Sequence, residues 1–314
     1  MEQLGIVQFA AFLVGLLFGS FLNVCISRIP LRESIVSPRS RCPQCGAPIR
    51  WYDNIPLLSW PRLHARCRDC KADIPWRYPV VEFAVGVWFL LIGVSIAEAL
   101  SVRVGPPGNL TDWWINFGIE QTGLAILGFL LIGLMVMDWQ TMMLPDAFTL
   151  SGIAIGLFLV CLRAVFLGPG EDQVVLNTTH QLRLNSPGSL ISRGNVFLTG
   201  PEALIFGRVL AVCGTALLLL LIRWIYRAVR KREGMGLGDV KLLAMIAAFL
   251  GFWPSILALF VGVIAASLYG AVLLARGKAG AASKLPFGSF LCAGGLVSAV
   301  FGNALIDRYI ALFR

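Results

Sequence analysis

Apolar residues are gathered into eight long stretches, separated by short polar segments. The stretches lie at 4–26, 80–100, 121–138, 147–167, 203–223, 240–252, 255–275 and 287–306. Most have about the 20 residues that a helix needs to cross a bilayer. The pattern therefore predicts an all-α polytopic membrane protein with about eight transmembrane helices. The sixth stretch is short and ends near Gly251–Pro254, so it is either a tilted span or half of a broken pair, and seven spans is the competing count.

Composition and charge support this interpretation. The chain is 57% hydrophobic and 14% charged, whereas ordinary soluble domains are about 45–50% apolar and about 25% charged, so a soluble globular protein is excluded. Of the basic residues behind the net charge of +9, ten lie between Arg28 and Arg77 and six between Arg223 and Lys241. Basic residues beside spans mark the cytoplasmic side and contact anionic lipid, whereas a nucleic-acid-binding patch normally lies on a soluble domain. We therefore expect membrane lipid and no nucleic acid as a partner.

The charge pattern also fixes the expected topology. With the N-terminus outside, the cytoplasmic loops are 27–79, 139–146, 224–239 and 276–286, which hold most of the Lys and Arg. The long loop at 168–202, an excursion from the membrane, then lies on the extracytoplasmic side. No internal repeat with a period of about 20–50 residues is expected.

The loop at 27–79 contains two Cys-x-x-Cys pairs, Cys42 with Cys45 and Cys67 with Cys70, separated by 21 residues. Each pair places two thiolates on one turn, and two such turns form the four-sulfur tetrahedron of a zinc site. Four Cys ligands leave no open coordination position, so the Zn²⁺ is expected to be structural rather than catalytic. The alternatives are two disulfides or unpaired thiols.

Three acidic residues lie at the ends of apolar stretches. Asp138 follows a stretch without charge, where partial desolvation and the negative end of its helix dipole suit an acid–base catalyst better than a structural carboxylate. Asp239 follows the glycine-rich segment 234–238 at the start of another apolar stretch. The alternatives are an interfacial anchor for Asp138 and a helix N-cap for Asp239. Asp146, which follows Leu144–Pro145, is interpreted as an N-cap.

In the eight-span topology, Asp138 and Asp239 lie at the same cytoplasmic boundary. Two neighbouring carboxylates can share one proton, so that the ionised member activates water while the protonated member polarises the scissile carbonyl. This is the chemistry of aspartic peptidases. The glycines before Asp239 are expected to let it close on Asp138 once substrate is bound.

A series of motifs in a fixed order carries a resemblance to a known family. They are Gly19-Ser20-Phe21-Leu22-Asn23-Val24 with Arg28 and Pro30, the two Cys pairs, Asn54-Ile55-Pro56, Arg77-Tyr78-Pro79 with Glu82, Asp138 with Leu144-Pro145-Asp146, Gly236-Leu237-Gly238-Asp239-Val240-Lys241, and Pro286-Phe287-Gly288. With these motifs the chain resembles the type IV prepilin peptidases of bacteria, which are membrane aspartic peptidases of the Gly-x-Gly-Asp type.

The resemblance implies that Asp138 and Asp239 are the catalytic pair and that the substrate is a type IV prepilin or pseudopilin. Its short basic leader would be cut after Gly, at the cytoplasmic face of the bacterial inner membrane. The new N-terminus would then be methylated from S-adenosylmethionine, an activity that the resemblance associates with the Cys-containing loop without identifying a donor pocket. Many members have an Asp in place of Gln140 and a Pro in place of Ser289, and neither position is expected to touch the catalytic pair.

The apolar pattern and these motifs together predict a first transmembrane helix at 1–26, a cytoplasmic zinc-binding loop at 27–79 and a transmembrane peptidase core at 80–314 that includes the excursion at 168–202. The alternative functions are a peptidase without methyltransferase activity and a proton-coupled transporter, because intramembrane carboxylates also serve as proton relays. A non-enzymatic secretion scaffold is a third candidate, but it explains only the cysteines.

Overall fold

The structure, a computed structural model, describes residues 2–37, 39–101, 110–165, 201–231, 236–277 and 285–311. Its helices are α1 Glu2–Arg28, α2 Ser59–Arg62, α3 Arg77–Ser101, α4 Leu110–Thr141, α5 Asp146–Val165, α6 Pro201–Arg230, α7 Leu237–Leu250, α8 Phe252–Ala275 and α9 Phe287–Ala311. In these ranges β pairing is limited to two isolated bridges in the segment between α1 and α3, so the predicted all-α class is confirmed. Nearly all of the predicted excursion at 168–202 lies outside the described residues.

Each of the eight predicted apolar stretches contains a helix. Six of these helices are long and apolar enough to cross a membrane, namely α1, α3, α4, α5, α6 and α8. The apolar part of α9, Phe287–Gly302, is shorter, and α7 has only 14 residues, about 21 Å of helix against a hydrocarbon core of about 30 Å. The structure therefore confirms a polytopic membrane protein, while the count of eight spans stays a prediction.

The short helix α7 is enclosed by protein rather than by lipid. It contacts α4, α5, α6, α8 and α9, and Leu242, Leu243 and Ile246 are completely buried. It ends at Gly251, whose φ of +90° lets the chain turn directly into α8. A helix with this environment has no need to match the bilayer thickness, which explains why the sixth apolar stretch is short.

Helices α1 and α3 form a close antiparallel pair. A Cβ atom added at Gly19 would lie 2.6 Å from the Cα of Glu82, and one added at Gly93 would lie 2.7 Å from the Cβ of Ala11. The C-terminal part of α1 therefore packs against the N-terminal part of α3, and the N-terminal part of α1 packs against the C-terminal part of α3. The pairing places the end of α1 beside the start of α3, at the base of the Cys-containing loop.

The interface between α3 and α4 depends on one tryptophan. Trp88 is 7% exposed, and its indole N–H donates a 2.9 Å hydrogen bond to the carbonyl of Leu124. Gly128 lies directly beneath the ring, because a Cβ there would be 2.0 Å from Nε1 of Trp88. The α3–α4 contact therefore excludes any side chain at position 128.

This contact can be tested with two substitutions on α4. Alanine normally stabilises a helix by about 0.5–1 kcal/mol relative to glycine, yet Gly128→Ala should lower the free energy of unfolding by about 1–3 kcal/mol through overpacking. Gly118→Ala is the matched control, because a Cβ there meets no atom within 4 Å. The measurement is the thermal unfolding midpoint in detergent, and equal midpoints for the two variants would contradict this account of the interface.

Candidate active site

Asp138 lies in the last turn of α4 and is only 5% exposed. Its neighbour is the start of α9. A Cβ at Gly288 would lie 3.0 Å from the Cγ of Asp138, so the carboxylate occupies space that a side chain at position 288 would fill. The glycine of the Pro286-Phe287-Gly288 segment therefore allows α9 to approach Asp138 closely.

Ser289 holds one oxygen of this carboxylate. Its backbone N–H donates a 2.6 Å hydrogen bond to Oδ2 of Asp138, and its hydroxyl lies 2.9 Å from the same oxygen and 2.9 Å from the carbonyl of Met135. The expectation that Ser289 does not touch the acidic pair is therefore wrong. The sequence did not reveal this contact, because the two residues are 151 positions apart. A proline at 289 would have no N–H to donate.

Asp239 lies in the first turn of α7 and is 8% exposed. The residue at the N-cap position is Gly236, which makes no side-chain cap hydrogen bond, so Asp239 is not the N-cap. Its carboxylate instead interacts with the backbone of Gly236, as an acidic residue three positions inside a helix commonly does.

The structure brings the two acidic side chains together. The two carboxylates lie within electrostatic range of each other, and the fully buried thiol of Cys292 lies within the same range of both. Leu144 packs between their two segments, because Cβ atoms at Gly238 and Gly288 would each lie 3.0 Å from its Cδ1. The result is a pair of buried carboxylates at one end of the helix bundle.

An ion pair links the helix that carries Asp239 to α5. The ammonium of Lys241 lies 2.6 Å from Oδ1 of Asp146, and their side chains are 35% and 60% exposed. Asp146 is the first residue of α5, one position beyond the predicted N-cap. Exposed pairs contribute about 0–1 kcal/mol, so this contact orients α7 more than it stabilises the fold.

Gln140 is also in contact with another segment. Its Oε1 accepts a 2.8 Å hydrogen bond from Nη1 of Arg77, and Nη2 of the same arginine donates to Ser27 at 3.1 Å. The guanidinium also lies 4.8 Å from the ring centre of Tyr78. Gln140 therefore joins the end of α4 to α1 and α3, and it makes no contact with Asp138 or Asp239 that the structure records.

The four predicted cysteine ligands converge. The sulfur atoms of Cys42, Cys45, Cys67 and Cys70 all lie within 4.8 Å of one another, and the Sγ atoms of Cys42 and Cys70 are 3.8 Å apart. Zn–S bonds of about 2.3 Å in a tetrahedron separate the sulfurs by about 3.8 Å, whereas a disulfide needs about 2.05 Å. The cluster can therefore hold a metal ion of the size and softness of zinc.

Each cysteine pair forms the same small turn. Cys42 N–H donates to the carbonyl of Ala47 and Cys67 N–H to that of Ala72, while the residue after each second cysteine returns a bond to the first. The matching bridges are Arg41–Pro48 and Arg66–Asp73. These turns are a repeat offset by 25 positions, Arg41-Cys42 through Ile49 and Arg66-Cys67 through Ile74. The expectation of no repeat is wrong, because this one is too short to stand out from a membrane protein's apolar pattern.

Hydrogen bonds act on one cysteine of the cluster and tie its second turn to the rest of the loop. Backbone hydrogen bonds, chiefly from Cys45, lower the pKa of Cys42 to about 7, so a thiolate is readily formed there. Arg68, which lies within the second turn, donates 2.7 and 2.6 Å hydrogen bonds to the two oxygens of Asp53. This bidentate contact holds the pKa of Asp53 below its usual range and ties the second turn to the segment between the two pairs.

Comparison with known proteins agrees with this geometry. Residues 13–96 match the Bacterial Peptidase A24 N-terminal domain, and residues 189–271 match the Type IV leader peptidase family. The chain belongs to the type IV leader peptidase family. Asp239 lies within the second matched region, and Asp138 lies between the two.

Several relatives carry the name prepilin leader peptidase/N-methyltransferase. The protein from Stutzerimonas stutzeri is 29% identical over 97% of this chain and 94% of its own length. The protein from Myxococcus xanthus is 35% identical over 86% of this chain and 64% of its own length, and that from Aeromonas hydrophila is 28% identical over 96% and 93%. No solved structure matches the chain significantly.

Removal of one cysteine tests the metal cluster. Cys67→Ser should lose most of the bound zinc and make the segment around 40–75 more sensitive to limited proteolysis, because this polar segment has little apolar core of its own. Cys161→Ser is the control, since Cys161 is exposed on α5 and lies outside the cluster. Elemental analysis of the purified variants gives the zinc content, and full occupancy in Cys67→Ser would exclude a four-cysteine site.

Proposed function

We propose that this chain is a bifunctional membrane enzyme that processes type IV prepilins or pseudopilins. As an aspartic endopeptidase it removes the short basic leader after Gly, with Asp138 and Asp239 as the catalytic pair, and it then N-methylates the new N-terminus. Membership of a peptidase family and the names of the relatives support both activities. The observation that carries the peptidase is the meeting of two buried carboxylates, from α4 and α7, at one end of the bundle.

The hydrogen bonds around the pair favour different roles for its members. Asp138 has two potential donors on one oxygen, both from Ser289, and such bonds stabilise an ionised carboxylate. Among the described residues, the hydrogen-bond partner recorded for Asp239 is the backbone of Gly236. We therefore assign Asp138 as the ionised member and Asp239 as the member that carries the shared proton.

This assignment gives a balanced route for peptide hydrolysis. Asp138 accepts a proton from a water molecule as the water oxygen attacks the scissile carbonyl, and Asp239 donates its proton to the carbonyl oxygen. Collapse of the tetrahedral intermediate breaks the C–N bond, and the proton held by Asp138 passes to the leaving amine. The pair then regains one shared proton when the carbonyl is restored.

The surroundings of the pair suit a substrate whose mature part begins with an apolar helix in the membrane. Trp139, Met142 and Met143 are all exposed apolar residues next to Asp138, and methionine side chains adapt readily to varied apolar partners. An apolar helix lying against them would place its polar leader beyond the end of the bundle. The basic loops predict that this end faces the cytoplasm, at the inner membrane of a bacterium.

Two cofactors accompany the proposal. The four clustered cysteines would hold a structural Zn²⁺ that fixes the loop between α1 and α3. S-adenosylmethionine would be the methyl donor: the new amine would gain the methyl group and release a proton to water, and S-adenosylhomocysteine would be the other product.

The catalytic pair is tested by removing its exchangeable protons. Asp138→Asn and Asp239→Asn should each reduce leader cleavage by at least about 1,000-fold, because asparagine is nearly isosteric but cannot transfer the proton. The two residues act as one unit, so the double variant should be hardly worse than either single one. Mass spectrometry of a prepilin incubated with the detergent-purified enzyme measures leader loss.

Asp146→Asn is the matched control and should retain most of the cleavage, because the Asp146–Lys241 pair is exposed and contributes little. Methylation of a pre-cleaved pilin should survive in both Asp138→Asn and Asp239→Asn. Substantial cleavage by Asp239→Asn would refute the proposed mechanism and leave Asp239 with a structural role at the start of α7.

Ser289→Ala tests the division of roles within the pair. Loss of the hydroxyl should reduce kcat by about 10- to 100-fold with little change in KM, since a hydrogen bond to a charged group is worth about 1.5–3 kcal/mol. The acidic limb of the kcat–pH profile should move to higher pH. Ser298→Ala is the control on the same helix, where the hydroxyl donates to the carbonyl of Pro254; an unchanged pH profile in Ser289→Ala would contradict the assignment.

A further inference from the structure

A cavity separate from the acidic pair lies between the Cys-containing loop and the membrane helices. The loop wall includes Asn54, Ile55 and Trp60, and the helix wall is formed by the end of α1 and the start of α3. The antiparallel pairing of α1 and α3 makes this helix wall rigid, because Gly19 and Glu82 are in backbone contact. The cavity is therefore a formed site rather than a gap between mobile segments.

Asn23 supplies an unused acceptor at this cavity. The residue is 2% exposed, lines the cavity and donates from Nδ2 to the carbonyl of Tyr78 at 3.0 Å. Its Oδ1 is buried and has no hydrogen-bond partner among the described residues. A buried carbonyl oxygen without a donor costs about 1–3 kcal/mol, so the geometry favours a ligand that brings an N–H or O–H group to it.

Glu82 supplies a carboxylate to the same cavity. Its Oε2 accepts a 2.8 Å hydrogen bond from the N–H of Leu57, and the hydroxyl of Ser20 also interacts with it. No Lys or Arg forms a salt bridge with Glu82 within the part of the chain that the structure describes. Leu57 has a φ of +59°, an unfavourable conformation for a leucine, and such backbone strain is concentrated at functional sites.

Two of the four arginines that line the cavity, Arg50 and Arg68, are engaged with other groups of the loop. Arg68 forms its bidentate contact with Asp53, and Arg50 donates a 2.8 Å hydrogen bond to the hydroxyl of Tyr52. Trp60 is held by a 3.0 Å hydrogen bond from its indole N–H to the carbonyl of Ile74, which leaves a fixed aromatic ring at the cavity. The wall thus combines an aromatic surface, a buried acceptor and a carboxylate that forms no salt bridge with a described Lys or Arg.

We infer that this cavity is the binding site of the methyl donor, with Glu82 facing the sulfonium cation and Asn23 Oδ1 accepting a hydrogen bond from a donor N–H or O–H group. The sulfonium sulfur of S-adenosylmethionine carries a fixed positive charge, which a carboxylate attracts. An aromatic ring can stack on the purine of the same ligand. The inference rests on the methyltransferase part of the proposed function. It assigns recognition to two residues of the membrane helices α1 and α3, while the loop supplies the opposite wall.

The position of the cavity suits successive reactions on one substrate. Ser27 lines the cavity and accepts a hydrogen bond from Arg77, and the same guanidinium binds Gln140, two residues after Asp138. Arg77 therefore connects the helix wall of the cavity to the end of α4, the helix that carries Asp138.

Binding of two related ligands to the detergent-purified full chain tests the role of Glu82. S-adenosylmethionine carries the sulfonium charge, and S-adenosylhomocysteine has a neutral sulfur. Glu82→Gln should raise the Kd of S-adenosylmethionine by about 10-fold and that of S-adenosylhomocysteine by much less. Glu98→Gln is the matched control on α3, because Glu98 is exposed and does not line the cavity, and it should leave both constants unchanged.

Activity assays give a second, independent readout. Asn23→Ala and Glu82→Gln should each reduce methylation of a pre-cleaved pilin by about 10-fold or more, while prepilin cleavage remains within about 2-fold of wild type. Retained zinc and retained cleavage exclude a general loss of folding. Unchanged donor affinity and methylation in both variants would overturn the inference.

Ultraviolet cross-linking of radiolabelled S-adenosylmethionine to the wild-type protein needs no variant and therefore does not depend on the folding of one. Label is expected in peptides that contain residues 20–28 or 52–82, and label confined to peptides around Asp138 or Asp239 would overturn the inference. A wild-type protein that neither binds nor uses the donor would refute the proposed methyltransferase itself, whereas normal methylation with labelling elsewhere would refute only the location.

Discussion

Two buried carboxylates within electrostatic range of each other are the constraint on which the rest of this structure depends. Like charges in a poorly solvated place repel each other, and each loses hydration. Asp138 also stands at the negative end of its own helix. The starts of α7 and α9 compensate, because helix N-termini carry positive partial charge and unpaired N–H groups. Ser289 N–H serves Asp138 in this way, and the backbone of Gly236 serves Asp239.

This requirement explains the unusual shape of α7. The N-terminus of α7 must reach the end of α4. Gly238 of α7 and Gly288 of α9 both leave room for Leu144, because a Cβ atom at either position would lie 3.0 Å from its side chain. A lipid-facing helix would be free to tilt and rotate, whereas α7 is surrounded by five other helices. Burial on all sides therefore fixes the direction of Asp239, and the contact between Lys241 and Asp146 adds a polar restraint at the same end.

Hydropathy and motif spacing predict much of this architecture. Apolar stretches located the helices, and the Cys-x-x-Cys spacing identified the cluster, because both signals are local in sequence. Ser289 and Gln140 show what local patterns miss. Their partners, Asp138 and Arg77, lie 151 and 63 positions away, and only the packing of α9 against α4 and of α3 against α4 brings them together. Asp146 is predicted as an N-cap, whereas α5 begins at Asp146 itself, because sequence patterns define helix ends only to within one or two residues.

The two halves of the molecule meet at the end of α4. The antiparallel pair of α1 and α3 carries the Cys-containing loop, and α4 with α7 and α9 carries the acidic pair. Arg77 joins them, with one guanidinium nitrogen on Gln140 and another on Ser27. A side chain shared in this way couples the position of α4 to that of α1. The fold therefore relies on Arg77 to hold the start of α3, at the base of the Cys-containing loop, against the end of the helix that carries Asp138.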